Sequence, residues 1–100
     1  MGDVRSPDIV FSRAGHDKGK AFIVLKTDGE RLWLVDGKAR KLNSPKMKSL
    51  KHTRFGKQGN PELAEALSSG AATDRLIRKE LAIFRSDVGR SEAGNQVVKR

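Results

Sequence analysis

DIVFSRAGHDKGKAFIVL, residues 8–25, is the stretch of sequence that decides the fold of this chain. Both of its ends are apolar and contain β-branched and aromatic residues, which favours β-strands at 8–13 and 21–25. The polar residues between the strands include Gly15 and Gly19, which allow the backbone to reverse its direction. The segment therefore predicts two short strands joined by a basic loop.

The sequence that follows residue 25 predicts a β-hairpin. Asp28 and Gly29 lie between two apolar runs, and this dipeptide is typical of a two-residue turn into a third strand at 32–35. A turn of that length would place Leu25 opposite Leu32 on the neighbouring strand.

A second turn and two more strands complete the predicted β region. Asp36 and Gly37 form the turn, and residues 38–42 and 49–55 can supply the fourth and fifth strands. Short strands separated by tight turns are typical of a small barrel, which leaves no long exposed strand edges. The fold class that we predict is mainly β, with a barrel of about five strands over residues 7–57.

The pattern changes near residue 60, where two short C-terminal helices are predicted. Asn60 and Pro61 have the residue types of a helix cap and first position, and Gly70 can end that helix. A second helix is predicted from residue 73 to residue 85, giving a helical extension at 60–85. Its apolar face contains Ile77, Leu81 and Phe84. Residues 1–6 and 86–100 lack such a pattern and are predicted to be flexible tails.

The charge is concentrated in the β region. The chain has 100 residues and a net charge of +9, with 14 Lys and Arg against 6 Asp and Glu in residues 1–60. Residues 61–100 contain 7 Lys and Arg against 6 Asp and Glu. This excess predicts that the first 60 residues bind an anionic partner, and both nucleic acid and an anionic membrane surface qualify. The alternative is that the charge only keeps the protein soluble.

Other classes of function are disfavoured by what the sequence contains. It has no cysteine, which excludes disulfides, thiolate metal sites and a cysteine nucleophile. No apolar stretch is long enough to span a membrane, and residues 1–7 do not resemble a signal peptide. The carboxylates form no acid/base pair, and His16 and His52 lack metal-ligand spacing. We therefore expect a cytoplasmic protein that is not an enzyme and that has no cofactor, metal, small-molecule substrate or membrane partner.

The glycine-containing loop is not a nucleotide-binding P-loop. A P-loop has four residues between its glycines and a Ser or Thr after its Lys. Here three residues separate Gly15 from Gly19, and Ala21 follows Lys20. We interpret the segment as a turn whose cationic tip faces a nucleic-acid backbone.

A run of cations follows the hairpin. Residues 38–57 contain eight Lys and Arg and no acidic residue, which predicts a phosphate-binding strip. Core packing explains four of the five aromatic residues, and Trp33 is the candidate for base stacking, with half-buried packing as its alternative. This composition favours recognition of backbone and shape over recognition of bases.

These residues resemble a known family. Residues 8–25 resemble a KOW motif, with an apolar strand, a loop of the form G-x-D-K-G-K and a second apolar strand. The stretches VDGKARKL at 35–42 and PKMKSLKH at 45–52 strengthen the match. Over residues 7–56 the chain is similar to bacterial KOW-domain RNA-binding proteins, which are related to a large-subunit ribosomal protein family of archaea and eukaryotes. The resemblance implies an SH3-like barrel that binds structured RNA, typically ribosomal RNA.

The resemblance and the charge pattern together give a set of candidate residues. The glycine and aspartate positions are predicted to shape turns, at Gly15, Gly19, Asp28, Gly29, Asp36 and Gly37. The predicted RNA-binding residues are Arg13, His16, Lys18, Lys20, Lys38, Arg40, Lys41, Lys46, Lys48, Lys51, His52 and Arg54.

Three functions stay open at this point. The leading hypothesis is an RNA-binding protein that contacts ribosomal RNA, as a ribosomal protein or an assembly factor, with ribosomal proteins as further partners. The second is a protein-interaction adaptor, because a barrel of this type does not fix function. The third is a KOW protein associated with DNA or transcription elongation, which would bind duplex DNA at least as well as RNA.

Overall fold

The computed structural model describes residues 4–99, and the side chains of residues 4–87. Five strands and two helices follow one another as β1 (Ile9–Ser12), β2 (Ala21–Asp28), β3 (Arg31–Val35), β4 (Lys46–Ser49), β5 (Thr53–Lys57), α1 (Pro61–Ser69) and α2 (Asp74–Lys99). Single 3-10 turns at Gly15–Asp17 and Leu50–His52 join β1 to β2 and β4 to β5. Within the described part of the chain, no helix has the length and apolar character that crossing a membrane requires.

The strands form one antiparallel sheet in the order β4-β3-β2-β1-β5. The two outer strands, β4 and β5, are consecutive in the chain and are joined by the 3-10 turn at Leu50–His52. This turn is tied to two other parts of the sheet, because Leu50 N donates to Glu30 O and Arg13 N donates to His52 O, both at 2.7 Å. The predicted fold class is confirmed, with a small barrel-like sheet of five strands followed by two helices.

Apolar residues of β1 and β2 are buried on both faces of the sheet. Successive residues of a strand point to opposite faces, so a strand that is covered on both sides has a continuous apolar run. Helices α1 and α2 cover one face, where the core consists of Ile9, Ala21, Ile23, Val35, Leu63, Ile77, Leu81 and Phe84. The other face is the barrel interior, filled by Val10, Phe22, Val24, Leu32 and Leu34.

The helices are held to the sheet by polar contacts as well as by this core. Arg78 Nη1 donates to Gly37 O at 2.7 Å, and Leu42 N donates to Asp74 Oδ1 at 2.8 Å. Gly37 has a φ of +80°, and a Cβ there would lie 2.5 Å from Asp74 O. Only glycine therefore allows α2 to approach the segment between β3 and β4 this closely.

The hairpin between β2 and β3 has a different register from the predicted one. Thr27, not Leu25, lies opposite Leu32, and the central turn residues are Gly29 and Glu30. Gly29 has a φ of +63° and Glu30 does not have a positive φ, so glycine is needed only at the first central position. The register also shifts between Val24 and Lys26, so that Val24 lies opposite Leu34 and both are buried in the barrel interior. A regular two-residue turn at Asp28 and Gly29 does not provide for this irregularity.

The predicted fourth strand at 38–42 is wrong. The carboxylate of Asp36 accepts hydrogen bonds from Lys38 N at 2.9 Å and from Arg40 N at 2.8 Å, which holds these residues in a turn and removes their amides from any strand ladder. Strand β4 lies further along the chain, and the first part of the predicted strand at 49–55 is the 3-10 turn before β5.

Helix α1 has the predicted bounds, with Asn60 Oδ1 accepting from Glu62 N at 2.8 Å and Gly70 ending the helix at a φ of +80°. Helix α2 continues to Lys99, so its predicted end at residue 85 is wrong. A helix satisfies its own backbone hydrogen bonds and can continue without an apolar face. Residues 1–3 of the predicted N-terminal tail lie outside the described residues, and the flexibility of both tails stays a prediction.

Candidate nucleic-acid interface

The loop between β1 and β2, residues 13–20, is closed by its own backbone. Gly19 N donates to Ser12 O at 2.8 Å, and Lys20 N donates to Asp17 O at 2.9 Å. Gly15 and Gly19 have φ values of +78° and +87°, and the predicted turn glycines at 29 and 37 also have positive φ. The side chains of His16, Lys18 and Lys20 are exposed on this closed loop.

Two lysines of β4 make side-chain contacts with the same loop and with the end of β1. Lys48 Nζ donates to Ser12 Oγ and to Ala14 O, each at 3.0 Å. Lys46 Nζ forms an ion pair with the carboxylate of Asp17, and both side chains of this pair are mostly covered. Lys46 and Lys48 were predicted to contact RNA, but in the structure their ammonium groups bind the protein itself.

The Lys46 contact changes the acidity of Asp17. The hydrogen bond from Lys46 is the largest influence and lowers the pKa of Asp17 below its ordinary value of 3.8. Lys46, Lys20 and Lys48 also lower this pKa by their positive charge, whereas burial acts in the opposite direction. Asp17 therefore carries its charge at neutral pH and compensates the charge of Lys46.

Two other acidic residues of the sheet region, Asp8 and Asp28, are also bound internally. Asp8 is buried and accepts from Arg5 N and Gly59 N, and Asp28 forms an ion pair with Arg31 at 3.0 Å. Few carboxylates are left to neutralise the cations at the surface. Among the described residues, no ion pair is formed by the exposed side chains of Arg13, Lys18, Lys20, Lys38, Arg40, Lys41, Lys51 and Arg54.

Six cations surround two adjoining depressions that share Phe11 and Gly19. The first depression is lined by Arg13, Lys18 and Arg54, and the second by Lys20, Lys38 and Arg85. Asp36 is the only acidic residue in either lining, and its Oδ1 already accepts from two backbone amides. We call this continuous surface the cationic cleft, defined by Phe11, Arg13, Lys18, Gly19, Lys20, Lys38, Arg54 and Arg85.

An aromatic ring lies at the centre of the cationic cleft. Phe11 on β1 is opposite Arg54 on β5, and the guanidinium carbon of Arg54 is 4.6 Å from the centroid of the Phe11 ring. Phe84 of α2 packs on the same ring, with centroids 5.6 Å apart and planes inclined by 48°. The ring is half-buried, so it is fixed in position while part of it faces the cleft.

The structure divides the predicted RNA-binding residues into three groups. Five of them, Arg13, Lys18, Lys20, Lys38 and Arg54, lie in the cationic cleft. A second group is exposed outside the cleft lining and comprises His16, Arg40, Lys41, Lys51 and His52. The third group, Lys46 and Lys48, supports the loop.

Two features of this surface could not be found from the sequence pattern. Arg85 reaches the cleft from α2, and its only sequence signal is its position directly after Phe84 of the apolar face. The Phe11 ring lines the cleft, although core packing alone was expected for it. Phe55 is 54% exposed, which contradicts the expectation that it packs in the core. Trp33 is half-buried, as the packing alternative predicts.

Neither a scan against protein-family models nor a search of curated proteins finds a match to this chain. The resemblance to KOW-domain proteins therefore stays a prediction from residues 8–52. The functional interpretation of the cationic cleft rests on its geometry and charge.

Proposed function

We propose that this protein binds structured RNA through the cationic cleft and the exposed cations beside it, and that its target is ribosomal RNA. The observation that carries this proposal is the convergence of six cations from the β1–β2 loop, the segment after β3, β5 and α2 around one half-buried ring of β1. Elements distant in the sequence contribute to this surface, and the Asp36 carboxylate in its lining already accepts hydrogen bonds from two backbone amides.

The proposed mechanism is electrostatic and positional. Lysine and arginine side chains neutralise phosphates and release condensed counterions, so the affinity should fall steeply as salt is added. Because backbone hydrogen bonds and the Lys46 and Lys48 contacts already fix the loop, binding would require little further ordering of its backbone. Phosphate contacts of this kind set the position and orientation of a nucleic acid without reading its sequence.

The choice of RNA over DNA, and of a role at the ribosome, is supported by the resemblance of residues 8–52 to KOW-domain proteins. We propose that the chain acts as a ribosomal or ribosome-assembly protein, with ribosomal proteins as additional partners. The adaptor and DNA hypotheses are the alternatives that the following experiment separates from this one.

Binding to a ribosomal RNA fragment and to a DNA duplex of equal length, measured over a salt series, tests the proposal. The cleft variant is Lys18→Gln/Lys20→Gln/Lys38→Gln. A matched control with the same loss of charge is Lys26→Gln/Arg75→Gln/Lys79→Gln, because these exposed side chains lie outside the cleft.

We expect RNA to be preferred and the cleft variant to bind more weakly than the control. Its slope of log affinity against log salt should be shallower by about one for each phosphate contact that is lost. Equal losses in both variants would show that only net charge matters. Preference for the DNA duplex would favour the DNA hypothesis, and absence of binding to either nucleic acid would favour the adaptor.

A further inference from the structure

The centre of the cationic cleft differs in chemistry from its two ends. The ends are formed by flexible cations, whereas the centre is formed by the ring of Phe11 and the planar guanidinium of Arg54, 4.6 Å from the ring centroid. Phosphate binding does not need a planar apolar group at this position. The pair therefore indicates a second kind of contact within the same cleft.

Planar side chains of this kind are suited to the face of a nucleobase. Unpaired bases stack on aromatic rings and on arginine guanidinium planes, whereas the bases of a duplex already stack on each other. Phe84 holds the Phe11 ring in place, so little side-chain entropy would be lost when a base stacks on it.

The cleft has room for a base beside this pair. Gly19 lines both depressions together with Phe11 and presents no side chain to either of them. A Cβ placed on Gly19 would have no heavy atom within 4 Å outside its own chain neighbours, so the space above this residue is open. Cations lie on both sides of that space, where the phosphates flanking a bound base could reach them.

We propose that Phe11 and Arg54 form a stacking subsite for one unpaired base of the RNA, while the cations at the two ends of the cleft bind the flanking phosphates. This inference rests on the proposed function and adds a substrate class to it, namely RNA with a single-stranded segment.

The other exposed cation–aromatic cluster is less suited to this role. Trp33 has Lys26 Nζ at 4.8 Å and the guanidinium carbon of Arg31 at 5.9 Å from its ring. However, Arg31 is paired with Asp28 at 3.0 Å, and Trp33 lines neither depression of the cleft. The Phe11 site combines a ring with cations on two sides that form no ion pair with any side chain the structure describes.

The test compares Arg54→Lys with Arg75→Lys, because each variant keeps its positive charge and loses one planar guanidinium, and Arg75 is exposed outside the cleft. The probes are a single-stranded RNA oligonucleotide and a fully paired RNA duplex of the same length. We expect Arg54→Lys to weaken single-stranded binding by about 5-fold or more, with no change in its salt slope or in duplex binding. Arg75→Lys should leave both affinities unchanged.

A second measurement identifies the base that stacks. An abasic nucleotide keeps its phosphate and lacks the base, so moving it along the oligonucleotide should reveal one position that weakens wild-type binding by about as much as Arg54→Lys does. Arg54→Lys should show no further loss at that position, because both changes remove the same interaction. Phe11→Leu should give the same pattern, with its thermal unfolding recorded to confirm that it folds.

Each outcome separates this inference from the proposed function. If the wild-type protein binds neither RNA, the proposed function fails. If it binds both RNAs but Arg54→Lys behaves like Arg75→Lys and the abasic series is flat, the stacking subsite is wrong and phosphate binding stands. If single-stranded DNA of the same sequence binds equally well, the subsite is not selective for RNA and the substrate class proposed here is overturned.

Discussion

Replacing Lys48 with methionine tests whether this lysine supports the β1–β2 loop or serves as a free phosphate contact. Methionine keeps the length and the apolar part of the side chain and removes the ammonium group. In the folded protein, that group donates to Ser12 Oγ and Ala14 O at 3.0 Å. Ser12 is 2% exposed, so its hydroxyl has little access to water.

The expected loss of stability follows from these contacts. A hydrogen bond that involves a charged group contributes about 1.5–3 kcal/mol net. Part of this energy is recovered in the variant, because Ser12 Oγ still donates to Ala14 O at 3.0 Å. Residue 48 is only half-buried, so water can also replace part of the lost contact. We therefore expect the free energy of unfolding to fall by about 1–2 kcal/mol.

Urea unfolding of the wild type, Lys48→Met and Lys51→Met measures this difference. Lys51 belongs to the same basic run, is exposed and forms no ion pair with a described side chain, so its replacement should change stability by at most about 0.5 kcal/mol. RNA binding should instead be affected by Lys51→Met rather than by Lys48→Met, and Lys51→Met should reduce the slope of log affinity against log salt by about one. Equal unfolding free energies for the two variants would refute the supporting role of Lys48.

Three further results are expected. A left-handed backbone costs any residue with a side chain roughly 1–2 kcal/mol. Gly37→Ala should lower the free energy of unfolding in urea by more than this, because its Cβ would collide with α2, whereas Gly19→Ala should lower it only by this amount. If the two are equal, α2 does not approach as described. Asp17→Asn should lower the free energy of unfolding at neutral pH, because the pKa of Asp17 is depressed in the folded protein. The stabilisation by Asp17 is present above its ordinary pKa of 3.8 and is lost as pH falls through the folded pKa. A difference in unfolding free energy that does not depend on pH would contradict this. Arg85→Gln should weaken RNA binding and reduce the salt slope by about one, and an effect no larger than that of Arg75→Gln would place α2 outside the interface.

Local signals predicted the parts of the fold that local interactions determine. The bounds of α1 follow from its cap at Asn60 and its glycine at residue 70, both of which act within one helical turn. The hairpin turn was placed correctly to within one residue, but its register depends on which face of β3 is buried in the barrel. The strand predicted at 38–42 failed because one side chain, Asp36, captures two of its amides.

The candidate site shows the same division between local and distant causes. Five of the residues that the charge pattern predicted meet in the cleft. The pattern did not show that Lys46 and Lys48 turn toward the loop, because that depends on where β4 lies in the sheet. The contribution of Arg85 depends on α2 packing over β1, which a run of charges near residue 50 does not reveal.

Amide chemical shifts of the uniformly 15N-labelled protein, followed during titration with a ribosomal RNA fragment at low salt, report directly where RNA binds. We expect saturable changes confined to residues 11–20, 38–41, 51–57 and the part of α2 around Arg85, with α1 unchanged. Changes centred on Trp33 and Met47, changes spread evenly over the surface, or no changes at all would contradict RNA binding through the cationic cleft.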